Sequence, residues 1–322
     1  MKSPAVKLLL AAFALTLAAS CSKGYLSFSG YAQGGVYTIQ YNASGTKVAP
    51  ATVRDSVEAL LSAIDRSLSG YNASSTLSRR NRGEKTEDDP LFDLALSQAE
   101  AYFGMTGGAV DCWSAPVFDL WGFGFDPSAD DVPPDSDIAA ALVRSAAREK
   151  VNFNAFAQGL SCDLVAQYLK SIGVKDLLVD IGEIYCEGCN RRGEGWAIGI
   201  DNPRDGNDTP GAELRGVWTS DKGGHGVVTS GNYRKFYVRD GRKYSHTIDP
   251  KTGRPVTHNL LSATIVAPSA SLADAIATYC MVAGPDSAKA YILSEPDIEG
   301  CLIVSDSVWV SPGFRYCLQD RL

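Results

Sequence analysis

The sequence predicts an α+β fold, with antiparallel sheets and helices packed on them. Two observations lead there. Helical periodicity dominates from about residue 49 to residue 172, whereas residues 177–266 read as short strands separated by turn signals. The strand-to-helix turn at 153–160 also lacks the glycine and Gly-Lys-[Ser/Thr] spacing of a phosphate loop or a dinucleotide site, which removes the usual ligands of a doubly wound sheet. With 322 residues and 45% hydrophobic content, the chain can bury a sizeable core. No internal repeat and no detachable linker occurs beyond residue 30.

The N-terminus is the first informative element. Lys2 and Lys7 precede an apolar run from Leu8 to Ala19 that is too short to span a bilayer and fits a secretory signal. It ends Leu17-Ala18-Ala19-Ser20-Cys21. Small residues before a Cys resemble a bacterial lipoprotein signal, in which Cys21 is acylated and becomes the mature N-terminus. The competing reading is an ordinary cleaved signal that contains a Cys. The expected division is signal 1–21, linker 22–29 and one domain 30–322, exported and lipid-anchored to a bacterial membrane facing the periplasm.

A strand is expected in Phe28–Tyr41 after the Gly34-Gly35 step. From Ala49 to Ser69, Val53, Val57, Leu60, Leu61, Ile64 and Leu68 follow helical spacing. The polar stretch from Arg79 to Pro90 reads as a solvated loop, and Leu91–Phe103 as a second helix. Thr106-Gly107-Gly108-Ala109-Val110-Asp111 follows, where consecutive glycines allow close backbone approach and Asp111 is placed to orient a polar group. In Leu120-Trp121-Gly122-Phe123-Gly124 the aromatics either flank a planar ring or pack a turn; both readings stand. Asp126–Asp137 is an acidic, Pro-rich loop, Ser136–Glu149 a helix, Val151–Phe153 the start of a strand, and Leu160–Ile172 a helix. Strands are expected at Leu177–Ile181, Trp196–Ile200, Gly216–Ser220, Val227–Thr229, Lys235–Val238, Lys243–Ile248, Leu261–Val266, Cys301–Val304 and Arg315–Leu318.

A net charge of −7 and the lack of a basic stripe argue against a nucleic-acid partner. If Cys21 carries lipid, seven of the eight cysteines remain, an odd number, so at least one stays unpaired. Cys186-x-x-Cys189 is a lone pair without a nearby His, which favours a local disulfide or two free thiols over zinc.

The chemistry concentrates between Thr229 and Tyr279. His246 lies at the end of the expected strand Lys243–Ile248, just before Asp249-Pro250-Lys251-Thr252-Gly253, whose Pro and Gly mark a rigid turn. Ser271 is the expected N-cap of a helix to about Ala283, with Leu272, Ile276, Tyr279 and Ala283 as its buried stripe. Asp274 and Thr278, four apart, stack on the opposite face as a hard-oxygen pair suited to Mg²⁺. Two oxygens need a third ligand from elsewhere.

Taken together and in order, these motifs resemble the ApbE family of FAD:protein FMN transferases. The likeness runs through Gly30 to Gly35, Leu68-Ser69-Gly70-Tyr71, Gly107 to Asp111, Leu120 to Gly124, Asn152 to Gly159 and Val179-Asp180-Ile181-Gly182. It continues through Thr229-Ser230-Gly231-Asn232-Tyr233, Ser245 to Gly253 and Ala273 to Thr278; the last three motifs in that order are the specific ones. The resemblance implies a T-fold-related protein that binds FAD as substrate and Mg²⁺, transfers FMN to a Thr or Ser hydroxyl of an exported target protein, and releases AMP. It implies metal ligation by Asp274 and Thr278, with a backbone carbonyl from Ala155 or Ala157. Gln33, Tyr71, Ala109, Val110, Asp111, Asn152 and Gln158 fall where the family contacts FAD, with Thr247 or Ile248 near the isoalloxazine. The acceptor it implies is an Nqr- or Rnf-like subunit.

The incoming hydroxyl needs a base, and His246, or a carboxylate such as Asp249, is the candidate. Three departures from the family pattern stand out. Amides occupy charged positions at 152–158, Gly182 stands alone before Glu183, and Gln33 sits where a Met is frequent. Two alternatives follow: an FAD diphosphatase giving FMN and AMP, and a non-catalytic lipid-anchored flavin-binding protein.

Overall fold

A computed structural model describes residues 24–125, 132–204, 206–207, 209, 211–233, 236–239, 241–305 and 307–318. The signal segment, Cys21 and most of the acidic loop at 126–131 lie outside these residues. A hairpin opens the fold, β1 (Tyr25–Ala32) and β2 (Gly35–Asn42), turning at Gln33 and Gly34, both at positive φ. Thus β1 already occupies much of the stretch expected as a linker at 22–29. A helical block follows: α1 (Pro50–Leu68), α2 (Thr76–Asn81), α3 (Pro90–Met105), α4 (Ala115–Leu120), α5 (Asp135–Ala146) and α6 (Ala157–Ser171).

The strand block comprises β3 (Leu177–Asp180), β4 (Ile184–Glu187), β5 (Ala197–Asp201), β6 (Leu214–Thr219), β7 (His225–Gly231), β8 (Phe236–Arg239), β9 (Arg242–Ser245), β10 (Ile248–Asp249), β11 (Arg254–Pro255) and β12 (Leu260–Ala267). Then come α7 (Ala270–Ala283), α8 (Pro285–Ser294), β13 (Glu299–Val304), β14 (Ser307–Val310) and β15 (Tyr316–Leu318).

Among the described residues, eight strands form one sheet in the order β1-β2-β3-β4-β7-β12-β13-β14, every neighbour antiparallel. The α+β expectation holds. Period-2 alternation puts Tyr37, Ile39 and Tyr41 of β2 on one face, against Val53, Val57, Leu61 and Ile64 of α1 and the inner side of α6. Farther along that face, Ala273, Ile276, Ala277 and Cys280 of α7 pack on Val228, Ala263 and Ile265. The opposite face, through Cys186, Val227, Val266 and Cys301, is covered by the sheet β15-β6-β5 with Trp196, Ile198 and Trp218.

Several expectations are corrected. Val151–Phe153 is not a strand: Asn81 brackets Val151 with its side-chain amide, accepting from the backbone N–H at 2.9 Å and donating to the carbonyl at 2.8 Å, so an asparagine takes the place of a strand neighbour. The loop expected over Arg79–Pro90 begins later, since α2 runs through Asn81 and only residues 82–89 are loop; the Arg80 guanidinium stacks 4.2 Å over the Phe92 ring. Helices α4 and α8 and strands β4 and β14 had no clear periodic signature, being short segments that tertiary packing completes. The strand expected through Ile248 breaks after Ser245, and β10 pairs with β11 instead. Cys186 and Cys189 are free thiols, as are the other described cysteines. No described helix is long and apolar enough to cross a membrane.

Candidate functional site

The N-terminal end of α6 and the first two turns of α7 meet in a small-residue contact. A Cβ at Gly159 would lie 2.3 Å from the Ala270 carbonyl oxygen, so only glycine permits this approach. The Gly159 N–H donates to Asp274 Oδ2 at 3.2 Å, which sets the carboxylate against the opening turn of α6. That turn carries Ala157, preceded by Ala155. The expected N-cap Ser271 is not the cap: Ser269 is, its hydroxyl accepting the Leu272 N–H. Nor is α7 amphipathic as its stripe suggested. It is covered on both sides, and Asp274 is only 5% exposed.

Burial pushes the Asp274 carboxyl well above the usual carboxylate range; the Gly159 N–H opposes this and the nearby Asp163 charge reinforces it. Burial likewise pushes Asp163 up to about 6, against the pull of the Ser271 and Ala270 N–H groups and Lys170. Asp274 makes no ion pair among the described residues, and the Thr278 hydroxyl one turn on has no hydrogen-bond partner among them. A buried carboxylate with no ion pair, a hydroxyl one turn along the same helix and the backbone at the start of α6 offer oxygen donors, a set that fits a hard divalent ion. No cluster of three His, Cys, Asp or Glu side chains stands together among the described residues, so such an ion would need the hydroxyl and carbonyls as well.

Of the amides that depart from the family pattern, Gln33 reaches α6 and Gln158 lies on it. Gln33, at φ 52°, donates to Ser161 Oγ at 2.6 Å, and Ser161 donates to the Ala157 carbonyl at 2.8 Å. Gln158 donates to the Ile181 carbonyl at 3.3 Å, and a Cβ at Gly182, itself at φ 90°, would lie 2.9 Å from its amide nitrogen. Asn152 accepts the Asn154 N–H at 2.8 Å, and its own N–H donates to the Cys112 carbonyl, joining this loop to the Asp111 turn. Asp111 accepts from the Trp113 N–H and the Ser114 hydroxyl; Val110 is buried, its N–H held by Thr106. Ala109 lies beside them, half-buried. Tyr71 stands apart, 71% exposed, its ring edge-on to Phe125 at 5.2 Å.

An aromatic cluster packs around Ile248 of β10, the strand that touches α7. Phe123 stacks on Tyr237 and Tyr237 on Tyr244, each at 5.4 Å, and Trp121 lies against Tyr244 at 5.8 Å. Trp121 Nε1–H donates to the Gly253 carbonyl at 2.7 Å, so Trp121 packs the turn rather than presenting a free ring. His246 is half-buried, edge-on to Phe123 at 6.3 Å. The Thr247 hydroxyl donates to Asn232 Oδ1, which ties two motifs distant in sequence. Ile248 is buried in β10, which touches α7. Asp249 accepts the Lys251 N–H at 2.9 Å, closing its own turn. Sequence reasoning missed Asp163 and Ser161, and placed Asn232 in a motif without giving it a partner. The spacing of Gly159 and Asp163, one helical turn apart, was legible; their partners on α7 were not.

Comparison with known proteins places this geometry. The model of the ApbE family matches residues 33–302. An FAD:protein FMN transferase of Vibrio cholerae is 32% identical over 304 residues, covering 88% of this chain and 89% of the relative. One from Escherichia coli is 30% identical, covering 82% and 81%. The flavinyl transferase ApbE of Pseudomonas stutzeri, solved in its apo form, superposes with a TM-score of 0.77 at 30% identity, over 89% of this chain and 95% of that one.

Proposed function

The chain belongs to the ApbE family, and from that premise we propose how it acts. It is an FAD:protein FMN transferase, moving FMN from FAD to a target protein. The acceptor hydroxyl, from a Thr or Ser, attacks the phosphorus on the FMN side of the diphosphate. The bond to the AMP oxygen breaks, a phosphoester forms on the target, and AMP leaves.

The observation that carries this reading is the Gly159–Asp274 contact, which brings a buried carboxylate to the start of α6. Asp274, Thr278 and the carbonyl of Ala155 or Ala157 would hold Mg²⁺. Bound there, Mg²⁺ neutralises charge that builds on the diphosphate oxygens. His246 takes the proton of the incoming hydroxyl. Asp249 is the weaker candidate, because its carboxylate is engaged by its own turn. Gln33, Gln158 and Asn152 hold the loops that line the flavin site through fixed hydrogen bonds rather than charge. Cys21 carries the lipid, which keeps the body outside the cytoplasm, where an exported Nqr- or Rnf-like subunit is the target.

The test incubates the protein with FAD, Mg²⁺ and a candidate target domain, recording intact target mass and nucleotide together. A mass gain of FMN less water with stoichiometric AMP, both lost in EDTA, is the expected result. Free FMN and AMP at full rate with no adduct on any offered target would replace it with a diphosphatase. Loss of membrane association in Cys21→Ser tests the anchor separately.

A further inference from the structure

We infer that Asp163 is a positioning residue that sets the register of α7 against α6, and thereby the place of Asp274. The inference rests on the reading of Asp274 and Thr278 as cation ligands.

Helix α7 starts where water does not reach, with Ala270 0% and Ser271 1% exposed. Its first four N–H groups have no partner within the helix and must find one nearby. Leu272 is satisfied by the Ser269 hydroxyl at 3.2 Å, and from Ala273 onward the ordinary helical bonds begin, the first to the Ser269 carbonyl at 3.0 Å. Ala270 and Ser271 are satisfied from another helix: Asp163 Oδ1 accepts the first N–H at 2.7 Å and Oδ2 the second at 2.9 Å. One carboxylate from α6 therefore completes the cap of α7.

A second rung lies one turn away on both helices. Gly159 precedes Asp163 by four residues on α6, and Asp274 follows Ala270 by four on α7. The Gly159 N–H donates to Asp274, whereas Asp163 accepts from α7, so the two rungs run in opposite directions. A single rung would let α7 pivot; two remove both rotation and sliding. Close packing reinforces them. A Cβ at Gly159 would come 2.3 Å from the Ala270 oxygen, and one at Gly226 of β7 would come 2.3 Å from the Ala270 nitrogen. The first turn of α7 is thus wedged between two positions that have no side chain. Ser271 adds a lateral tie, its hydroxyl 2.9 Å from Tyr102 Oη and donating to Gln98 Oε1 at 2.8 Å. Because the Ala157 carbonyl sits on the same end of α6, Asp163 governs the spacing between the two halves of the oxygen cage without touching the ion. Misplacement of about 1 Å is enough to cost a site two orders of magnitude.

The test titrates Mn²⁺ into the protein and follows loss of the free-ion paramagnetic signal, for wild type, Asp163→Ala, Asp163→Asn, Asp274→Asn and Ile198→Ala. Ile198 lies in the core under the small sheet, away from α7, and serves as a matched loss of stability. The wild type is expected to take up one ion that Asp274→Asn does not. Asp163→Ala is expected to raise the half-saturating Mn²⁺ at least tenfold, Asp163→Asn by an intermediate factor, and Ile198→Ala by less than twofold. Asp163→Ala within twofold of wild type overturns the inference; so does Asp163→Asn within twofold where the alanine variant does not fold, or Ile198→Ala moving by the same factor. If Asp274→Asn takes up the ion as the wild type does, the ligand reading fails and this inference with it. If Asp274→Asn loses the ion while Asp163→Ala keeps it, only the role of Asp163 fails.

Discussion

The two walls of the site are built on opposite principles. The α6–α7 wall is made of small residues and backbone: Gly159, Ala157, Ala270 and Ala273, with Asp163 and Asp274 as its charged groups. The other is a ladder of rings, Phe123, Tyr237, Tyr244 and Trp121, with His246 edge-on to its end. On the first wall close backbone approach leaves no room for water around a carboxylate, so electrostatics there are strong and geometry is rigid. On the second, dispersion and the Trp121 hydrogen bond help hold a turn in place and leave a titratable ring at its edge. A wall that holds charge must be small and dry; a wall that only positions can be large and aromatic.

The contrast can be broken by experiment. Asp274→Asn keeps the shape and removes the charge, so transfer is expected to fall about 1,000-fold while thermal stability holds or rises, since a buried carboxylate without a cation is a cost in the folded state. A parallel loss of stability and activity would show that the carboxylate serves the fold alone. His246→Ala is expected to lower kcat about 100-fold with the KM for FAD little changed, as removal of a proton acceptor does; full activity would take the base role from this wall.

The third prediction concerns pH. The Asp163 carboxyl stands at about 6 in the folded protein, above its unfolded value, so the native state binds the extra proton. Its contribution to stability therefore grows as pH falls from about 7 through 6 toward 4, and is lost again as pH rises. The stability of wild type relative to Asp163→Asn, taken as unfolding free energy from urea titrations, is expected to rise over that range by on the order of 1 to 2 kcal/mol. A flat difference would mean that α7 is capped by a carboxyl with ordinary titration. The smallest effect belongs to the aromatic wall. Trp121→Phe keeps a ring but leaves the Gly253 carbonyl without its donor, and is expected to cost about 1 to 2 kcal/mol, read by thermal melting. A melt unchanged within 0.3 kcal/mol, on the order expected of surface substitutions, would return Trp121 to the role of a flanking ring.

Particular residues show where sequence reading stops. The stripe Val53, Val57, Leu61, Ile64 and Leu68 predicted α1 within a residue or two, because a helix packed on one side writes its burial into its spacing. The same logic failed on α7, which is covered on both sides, so Leu272 to Ala283 gave a one-sided stripe where none exists. Asp274 and Thr278 were nonetheless legible as a pair, since four-residue spacing puts them one above the other in any helix. His246 was legible as the ring before a turn, but the break after Ser245 was not. The Thr247–Asn232 bond that spans the two motifs connects residues fifteen apart, one just past β7 and the other just before β10. The departures at Gln33, Gln158 and Gly182 read in sequence as scattered changes. In three dimensions Gln158 donates to the Ile181 carbonyl beside Gly182, and Gln33 reaches Ser161 on the same helix.

The sequence by itself determined the helical and strand blocks, the turn at Asp249–Gly253, the oxygen pair on α7 and the family likeness, because each is written in the local order of residues. Only the tertiary structure decided which helix end meets which, that Asp163 caps a helix more than a hundred residues away, and that Asp274 is buried without a counter-charge. Those facts follow from the close approach that Gly159 and Gly226 permit, and a glycine in sequence does not say what will come to lie against it.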